Sequence, residues 1–180
     1  KACLITGFLG AGKTTLLRHV LAQGFGGDRV AVLVNELGEV GIDGATLKKS
    51  GGNVVELANG CICCQIQGDF HDAVLKIADT YKPQWILMEA TGAAEPGKIL
   101  SVFYASQQLQ ERFALEPTVC VVDAAHLQDF YRTMTYHVVC QIKVADLVVV
   151  NKVDLAGEKG TRAAEKLIRE INPRAFVVRK

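Results

Sequence analysis

"TGFLGAGKTT", residues 6–15, decides how the rest of the chain is read. It satisfies G-x-x-x-x-G-K-[ST] at Gly7, Gly12, Lys13 and Thr14, and it stands between an apolar run, "ACLIT", and a helical one, "TTLLRHVLAQG". Strand, glycine-rich turn and helix in that order make a phosphate-binding loop. Phosphate oxygens need several backbone N–H groups at close range, so Cβ atoms must be missing where the loop folds round the anion. The helix N-terminus adds its partial positive charge. Gly7, Gly10 and Gly12 supply the room, with Ala11 and Thr15 completing the cradle. Lys13 reaches the β- and γ-phosphates and Thr14 offers its hydroxyl to Mg²⁺.

Outward from that loop, short β-branched runs alternate with stretches of helical period. "RVAVLVN", "WILMEA", "TVCVVDA", "DLVVVN" and "AFVV" read as further strands beside "ACLIT". In "GDFHDAVLKIADTY", Phe70, Ala73, Val74 and Ile77 share one helical face. "EPGKILSVFYASQQLQ" opens on a proline suited to a first turn, and "GTRAAEKLIREIN" stops before Pro173. The alternation predicts an α/β fold, a mostly parallel central sheet with helices on both faces, as one domain over residues 1–180. Residues 36–52, polar and rich in glycine, read as a functional loop.

Composition narrows the function class. With 20 basic and 19 acidic residues the net charge is +1, which gives no field to recruit nucleic acid or anionic lipid. No apolar run approaches a bilayer span, and the start carries no secretory pattern, although it opens on Lys1 rather than Met. A cytoplasmic protein with no membrane or nucleic-acid partner is expected.

Two strand ends carry the rest of the nucleotide chemistry. "WILMEATG" offers Glu89 as an acid for the magnesium shell, directly or through water, and Gly92 as a backbone N–H that senses a γ-phosphate. "VVVNKVD" offers Asp154, whose carboxylate can accept both the N1–H and the exocyclic amine of guanine, a donor pair that adenine lacks. Asn151 secures the loop and base edge, and the stem of Lys152 lies along the ring. GTP is therefore favoured over ATP, with a P-loop kinase or ATPase as the rival.

Of the 6 cysteines, Cys3, Cys120 and Cys140 sit among aliphatic residues and read as core thiols. "NGCICCQ", residues 59–65, differs. Cys61, Cys63 and Cys64 are too close for the CxxC pairs of a zinc ribbon, yet three thiolates on one short loop can bind a soft or borderline ion. Packing in a turn, redox sensing and a fixed structural zinc remain open for them. His19, His71, His126 and His137 are scattered and read as surface or capping residues, and Trp85 as core.

Together, "GFLGAGKTTLL", "VNELGEVGIDG", "GCICC", "EATG", "VVDA", "QIKVADLVVVNKVDL" and "INPRA" closely resemble the CobW-type metallochaperone GTPases of the SIMIBI class of P-loop GTPases, over essentially the whole chain. The resemblance implies a first switch at residues 35–43, with Glu36 and Asp43 near Mg²⁺ and the attacking water, and a second at residues 89–92. It implies zinc or cobalt on the cysteine motif, where water, a switch carboxylate such as Glu39, or a partner completes the site. It implies a client metalloprotein and a GTP-dependent homodimer. Two departures stand out: Ala90 replaces the hydroxyl or thiol usual after the Walker B glutamate, and the family's second, C-terminal domain has no counterpart before Lys180. The expected catalytic set is Lys13, Glu36, Asp43 and Glu89, with no evident arginine finger; Arg18 lies on the first helix. A metal-sensing module with incidental turnover is the alternative.

Overall fold

In a computed structural model of the chain, the described residues are 1–34, 54–58 and 67–180. The expected first switch, with Glu36, Glu39 and Asp43, lies outside them, as does the cysteine stretch with Cys61, Cys63 and Cys64.

The described strands form one sheet. They are β1 (Ala2–Thr6), β2 (Val30–Val34), β3 (Val54–Ala58), β4 (Trp85–Glu89), β5 (Val119–Asp123), β6 (Leu147–Asn151) and β7 (Phe176–Arg179), in the order β3-β2-β4-β1-β5-β6-β7. Every pairing is parallel. Six of the seven coincide with the apolar runs, while β3 was not anticipated. Its "VVELA" follows directly on the glycine-rich segment and carries a glutamate at its centre, so its pattern is weaker than that of its neighbours.

A parallel sheet must bury both faces, which is why its strands read as continuous aliphatic runs. Alternate residues go to opposite sides. Leu4, Ile86 and Met88 join one cluster, completed by Phe70, Val74, Ile77, Ile99 and Phe103. Cys120, Val122, Val148 and Val150 meet Val138, Ile142, Leu167 and Ile168. Ile5, Leu87, Val121 and Val149 face the other way, onto Leu17 and Leu21.

The helices are α1 (Lys13–Gln23), α2 (Gln67–Tyr81), α3 (Pro96–Ala105), α4 (Gln107–Arg112), α5 (Leu127–Thr133), α6 (Thr135–Lys143) and α7 (Val153–Ile171). Gly24 ends α1 at φ 80°, and Pro96 opens α3, both as expected. The single helix expected over "EPGKILSVFYASQQLQ" is broken in two. Ser106 takes an extended conformation and its hydroxyl accepts from the Leu109 N–H, a new N-cap. The last helix begins earlier than its periodicity suggests, at Val153, and kinks at Gly157, where φ is 63°. Trp85 is half-buried at the edge of the core, its indole N–H donating to Asp28 at 3.2 Å. None of the described helices is long and apolar enough to cross a membrane.

A candidate nucleotide site at the strand ends

Because all strands run the same way, the C-terminal ends of β1, β4, β5 and β6 open on one edge of the sheet. The chain leaves β1 toward β2 on one side and reaches β5 on the other, so the order reverses there. In open α/β sheets, ligands bind in the crevice at such a switch point.

The loop after β1 is shaped by glycine. Gly7, Gly10 and Gly12 have φ values of 138°, 74° and 102°, a region that side chains rarely adopt. Space forbids side chains as well, since a Cβ on Gly7 would lie 2.1 Å from the Val121 carbonyl oxygen. Gly12 is the left-handed N-cap of α1, and the Ala11 N–H donates back to Phe8 at 3.1 Å. Lys13 is buried on the first turn, with its Nζ donating to the Phe8 carbonyl oxygen at 3.3 Å. The Phe8 ring packs on Phe130 of α5, centroids 4.3 Å apart, which braces the loop's apex. Thr15 is exposed one residue beyond Thr14.

Glu89 ends β4 in register with Ile5 of β1 and is 7% exposed. The Thr14 hydroxyl donates to its Oε1 at 2.7 Å. A hydroxyl and a buried carboxylate in contact at the mouth of a phosphate loop form a hard-oxygen donor pair of the kind that Mg²⁺ takes, so these residues fit that ion. Ala90 continues the ladder, its N–H donating to Ile5 at 2.9 Å, and Gly92 lies against the phosphate loop, where a Cβ would come 2.4 Å from the Leu9 nitrogen.

The loop after β6 is tied to the same place. Asn151 Nδ2 donates to the Ala11 carbonyl oxygen at 2.8 Å, and Lys152 adopts a left-handed conformation at φ 59° as the N-cap of α7. Lys152 Nζ donates to Asp123 Oδ2 at 2.9 Å. Asp154 stands exposed on the first turn of α7. The structure thus brings Gly7, Gly10, Ala11, Gly12, Lys13, Thr14, Glu89, Gly92, Asn151, Lys152 and Asp154 to one edge.

Two residues of this region had been given no role. Asp123 ends β5 by the same strand-end rule that singled out Glu89, and its side chain is almost wholly buried. Burial pushes its carboxyl up, but hydrogen bonds from Lys152, His126 and the Ala125 N–H outweigh that and hold it below the usual carboxylate range. Gln141 of α6, 2% exposed, donates to the Gly92 carbonyl oxygen at 2.8 Å. A polar residue on an otherwise buried helical face was the signal that could have found it.

Of the other thiols, Cys3 and Cys120 pack in the core and Cys140 is half-buried. Cys3, Cys120 and Cys140 are free, and burial pushes the thiol of Cys120 up to about 12 and that of Cys3 to about 11. Among the described residues no cluster of three metal-ligating side chains occurs. His19, His71 and His126 bond to Gln23, Asp72 with Ser106, and Asp123 respectively.

The chain is 38% identical to the zinc chaperone YjiA of Escherichia coli over 179 residues, which is 97% of this chain and 55% of that protein. It is 33% identical to the zinc-regulated GTPase metalloprotein activator 1 of Schizosaccharomyces pombe over 97% of its own length and 44% of the relative's. The crystal structure of Zn(II)-bound YjiA GTPase from E. coli superposes with a TM-score of 0.73 at 32% identity, covering 98% of this chain and 56% of that one. This chain therefore spans about half the length of the relatives it matches. The model of the CobW/HypB/UreG nucleotide-binding domain matches residues 1–179, nearly every position from the first strand to the last, and the chain belongs to that family.

Proposed function

We propose that the chain binds and hydrolyses GTP and uses that cycle to carry a transition metal, zinc first and cobalt second, to a client metalloprotein. The observation that carries the nucleotide half is the Thr14 hydroxyl on the Glu89 carboxylate, 2.7 Å apart, beside a loop whose glycines leave backbone N–H groups clear for phosphate. Guanine is supported by Asp154, exposed on the first turn of α7 and free to meet the N1–H and amine of the base. The metal half is supported by the names of the relatives: two of those above are called a zinc chaperone and a zinc-regulated activator.

In this reading the chain's own groups do the positioning that phosphoryl transfer chiefly requires. The loop N–H groups and Lys13 hold the phosphate oxygens and neutralise charge that builds on them. Thr14 and Glu89 would hold Mg²⁺, which would supply positive charge to offset that developing on the phosphate oxygens. Asn151 keeps the base loop and phosphate loop at fixed spacing, and the Lys152 stem covers the ring. Glu36 and Asp43 position the attacking water. Cys61, Cys63 and Cys64, with Glu39 or a partner's ligand, take the metal, and their place between the two switches couples its affinity to the nucleotide. The protein works in the cytoplasm, and pairing of two GTP-bound copies belongs to the same reading.

Zinc and cobalt titrations of reduced protein, preloaded with GDP or a non-hydrolysable GTP analogue, test the coupling. The two affinities should differ by about 5- to 150-fold, the usual range for linked sites. The difference should vanish in Cys61/Cys63/Cys64→Ser. Equal affinity in the two states would make the cysteines a nucleotide-blind sensor or structural site and overturn the carrier.

A further inference from the structure

We propose that Gln141 is a positioning residue for the second switch: from α6 it holds the Gly92 carbonyl, and so fixes the position of the residue whose own N–H meets the terminal phosphate of GTP. The inference rests on the functional reading above and goes beyond it, because it assigns the γ-phosphate response to a side chain 49 residues away in sequence.

Gly92 is the second residue of a turn that closes itself, with the Ala94 N–H donating to the Thr91 carbonyl oxygen at 3.0 Å. That hydrogen bond leaves the turn's central peptide, between Gly92 and Ala93, able to face either way. The flipped form needs a positive φ at the third position, which here is Ala93. An alanine resists that conformation but does not forbid it. Gln141 decides the matter. Its Nε2 donates to the Gly92 carbonyl oxygen at 2.8 Å with both groups buried, so turning that peptide would strand a buried acceptor and shift Gly92, whose own N–H lies in the preceding peptide.

The post on which Gln141 stands is itself fixed. Asn172 Nδ2 donates to the carbonyl oxygens of Ile142 and Ala145 at 2.9 and 2.8 Å, and Asp146 accepts from the Thr118 N–H at 2.8 Å. The C-terminal end of α6 is thereby tied to the end of α7, and the residue before β6 to the residue before β5. On the other side Gly92 abuts Leu9 of the phosphate loop, with no room for a Cβ. Gly92 is held between the loop that carries the phosphates and α6, which fixes where its N–H is presented.

The test compares affinities for GDP and for a non-hydrolysable GTP analogue in the purified wild-type chain, Gln141→Met and Gln141→Leu. Methionine keeps the shape and removes the donor, and leucine removes it with a smaller side chain. Affinity for the analogue should fall roughly tenfold in Gln141→Met, as expected when a buried carbonyl loses its partner. Affinity for GDP should stay within about twofold, since GDP makes no demand on Gly92. In a Gly92→Ala background the Gln141→Met loss should largely disappear, because the peptide is already displaced. Should Gln141→Met not fold, Gln141→Leu gives the same comparison. Equal losses for both nucleotides would reduce Gln141 to a packing residue, and unchanged affinities would also overturn the proposal. A wild-type chain that binds neither guanine nucleotide would instead overturn the functional reading, and this inference with it.

Discussion

The loop after β1 is shaped by missing side chains, and the loop after β6 by side chains that are present. A Cβ at Gly7 would lie 2.1 Å from the Val121 carbonyl oxygen, and one at Gly12 2.3 Å from Asn151 Nδ2. Beyond β6, by contrast, Asn151 reaches Ala11 at 2.8 Å and Lys152 reaches Asp123 at 2.9 Å. A phosphate offers the same oxygens whatever the base, so backbone suffices to hold it. A base is told from other bases only by groups that match its edge, so side chains must do that work. Substitution in the phosphate half should therefore cost the fold, and substitution in the base half the choice of nucleotide.

The largest expected effect falls on the base side, where one group carries the distinction. Asp154→Ala should lower the preference for GTP over ATP by roughly 10³, the size of two hydrogen bonds to a charged acceptor. Competitive binding of the two nucleotides measures it. A preference left intact would mean that Asp154 does not read the base, and that the exposed first turn of α7 is only a helix start.

Gly7→Ala and Gly12→Ala sharpen the contrast within the phosphate loop. At Gly7 the added methyl meets a backbone oxygen of β5 that cannot give way, on top of an unfavourable φ of 138°. The expected loss is about 3 kcal/mol, or roughly 10 °C in Tm for a domain of this size. At Gly12 the obstacle is the end of the Asn151 side chain, which can rotate. Stability should fall less, about 1–2 kcal/mol, while nucleotide affinity falls more, because that rotation breaks the tie from Asn151 to Ala11. Thermal melts alongside GDP titrations separate the two. Equal Tm losses would show that strain at positive φ, rather than the neighbour, sets the cost.

Much of this arrangement was legible in the sequence because it follows from local rules. A strand that buries both faces writes a continuous aliphatic run, so six strands stood out, and a motif at the end of a strand lands at the sheet's C-terminal edge whatever the topology. Lys13, Thr14, Glu89, Asn151 and Asp154 were placed by that logic alone. What escaped depends on contacts between distant segments. β3 is apolar enough to pair with β2 but is short and carries Glu56 at its centre. The break at Ser106 leaves no mark in the helical period, since Leu109 remains in phase with the face that packs on the core. Gln141 shows in the sequence only as a polar residue on a buried helical face, and its partner Gly92 is known only once the fold brings the two together. Asp123 was visible as a strand end but gained a role only when Lys152 was seen to bend back onto it.

That bend gives the smallest and most graded prediction. Asp123 receives hydrogen bonds from Lys152, His126 and the Ala125 N–H, and they hold its carboxyl below the usual range despite burial. A carboxyl depressed in the folded state contributes stability that is fully present above its unfolded value of about 3.9. The contribution fades as pH falls through the lower folded value. Asp123→Asn removes it at every pH, so the variant should melt lower than wild type at neutral pH, by about 1 kcal/mol for a charged hydrogen bond shared with a partly exposed lysine. The two melting curves should then draw together as the pH falls below about 3.9. A gap that stays constant as the pH falls further would mean that the ion pair contributes nothing and the loss comes from packing. The base loop would in that case be fixed by Asn151 alone, and GTP affinity in Asp123→Asn would match wild type.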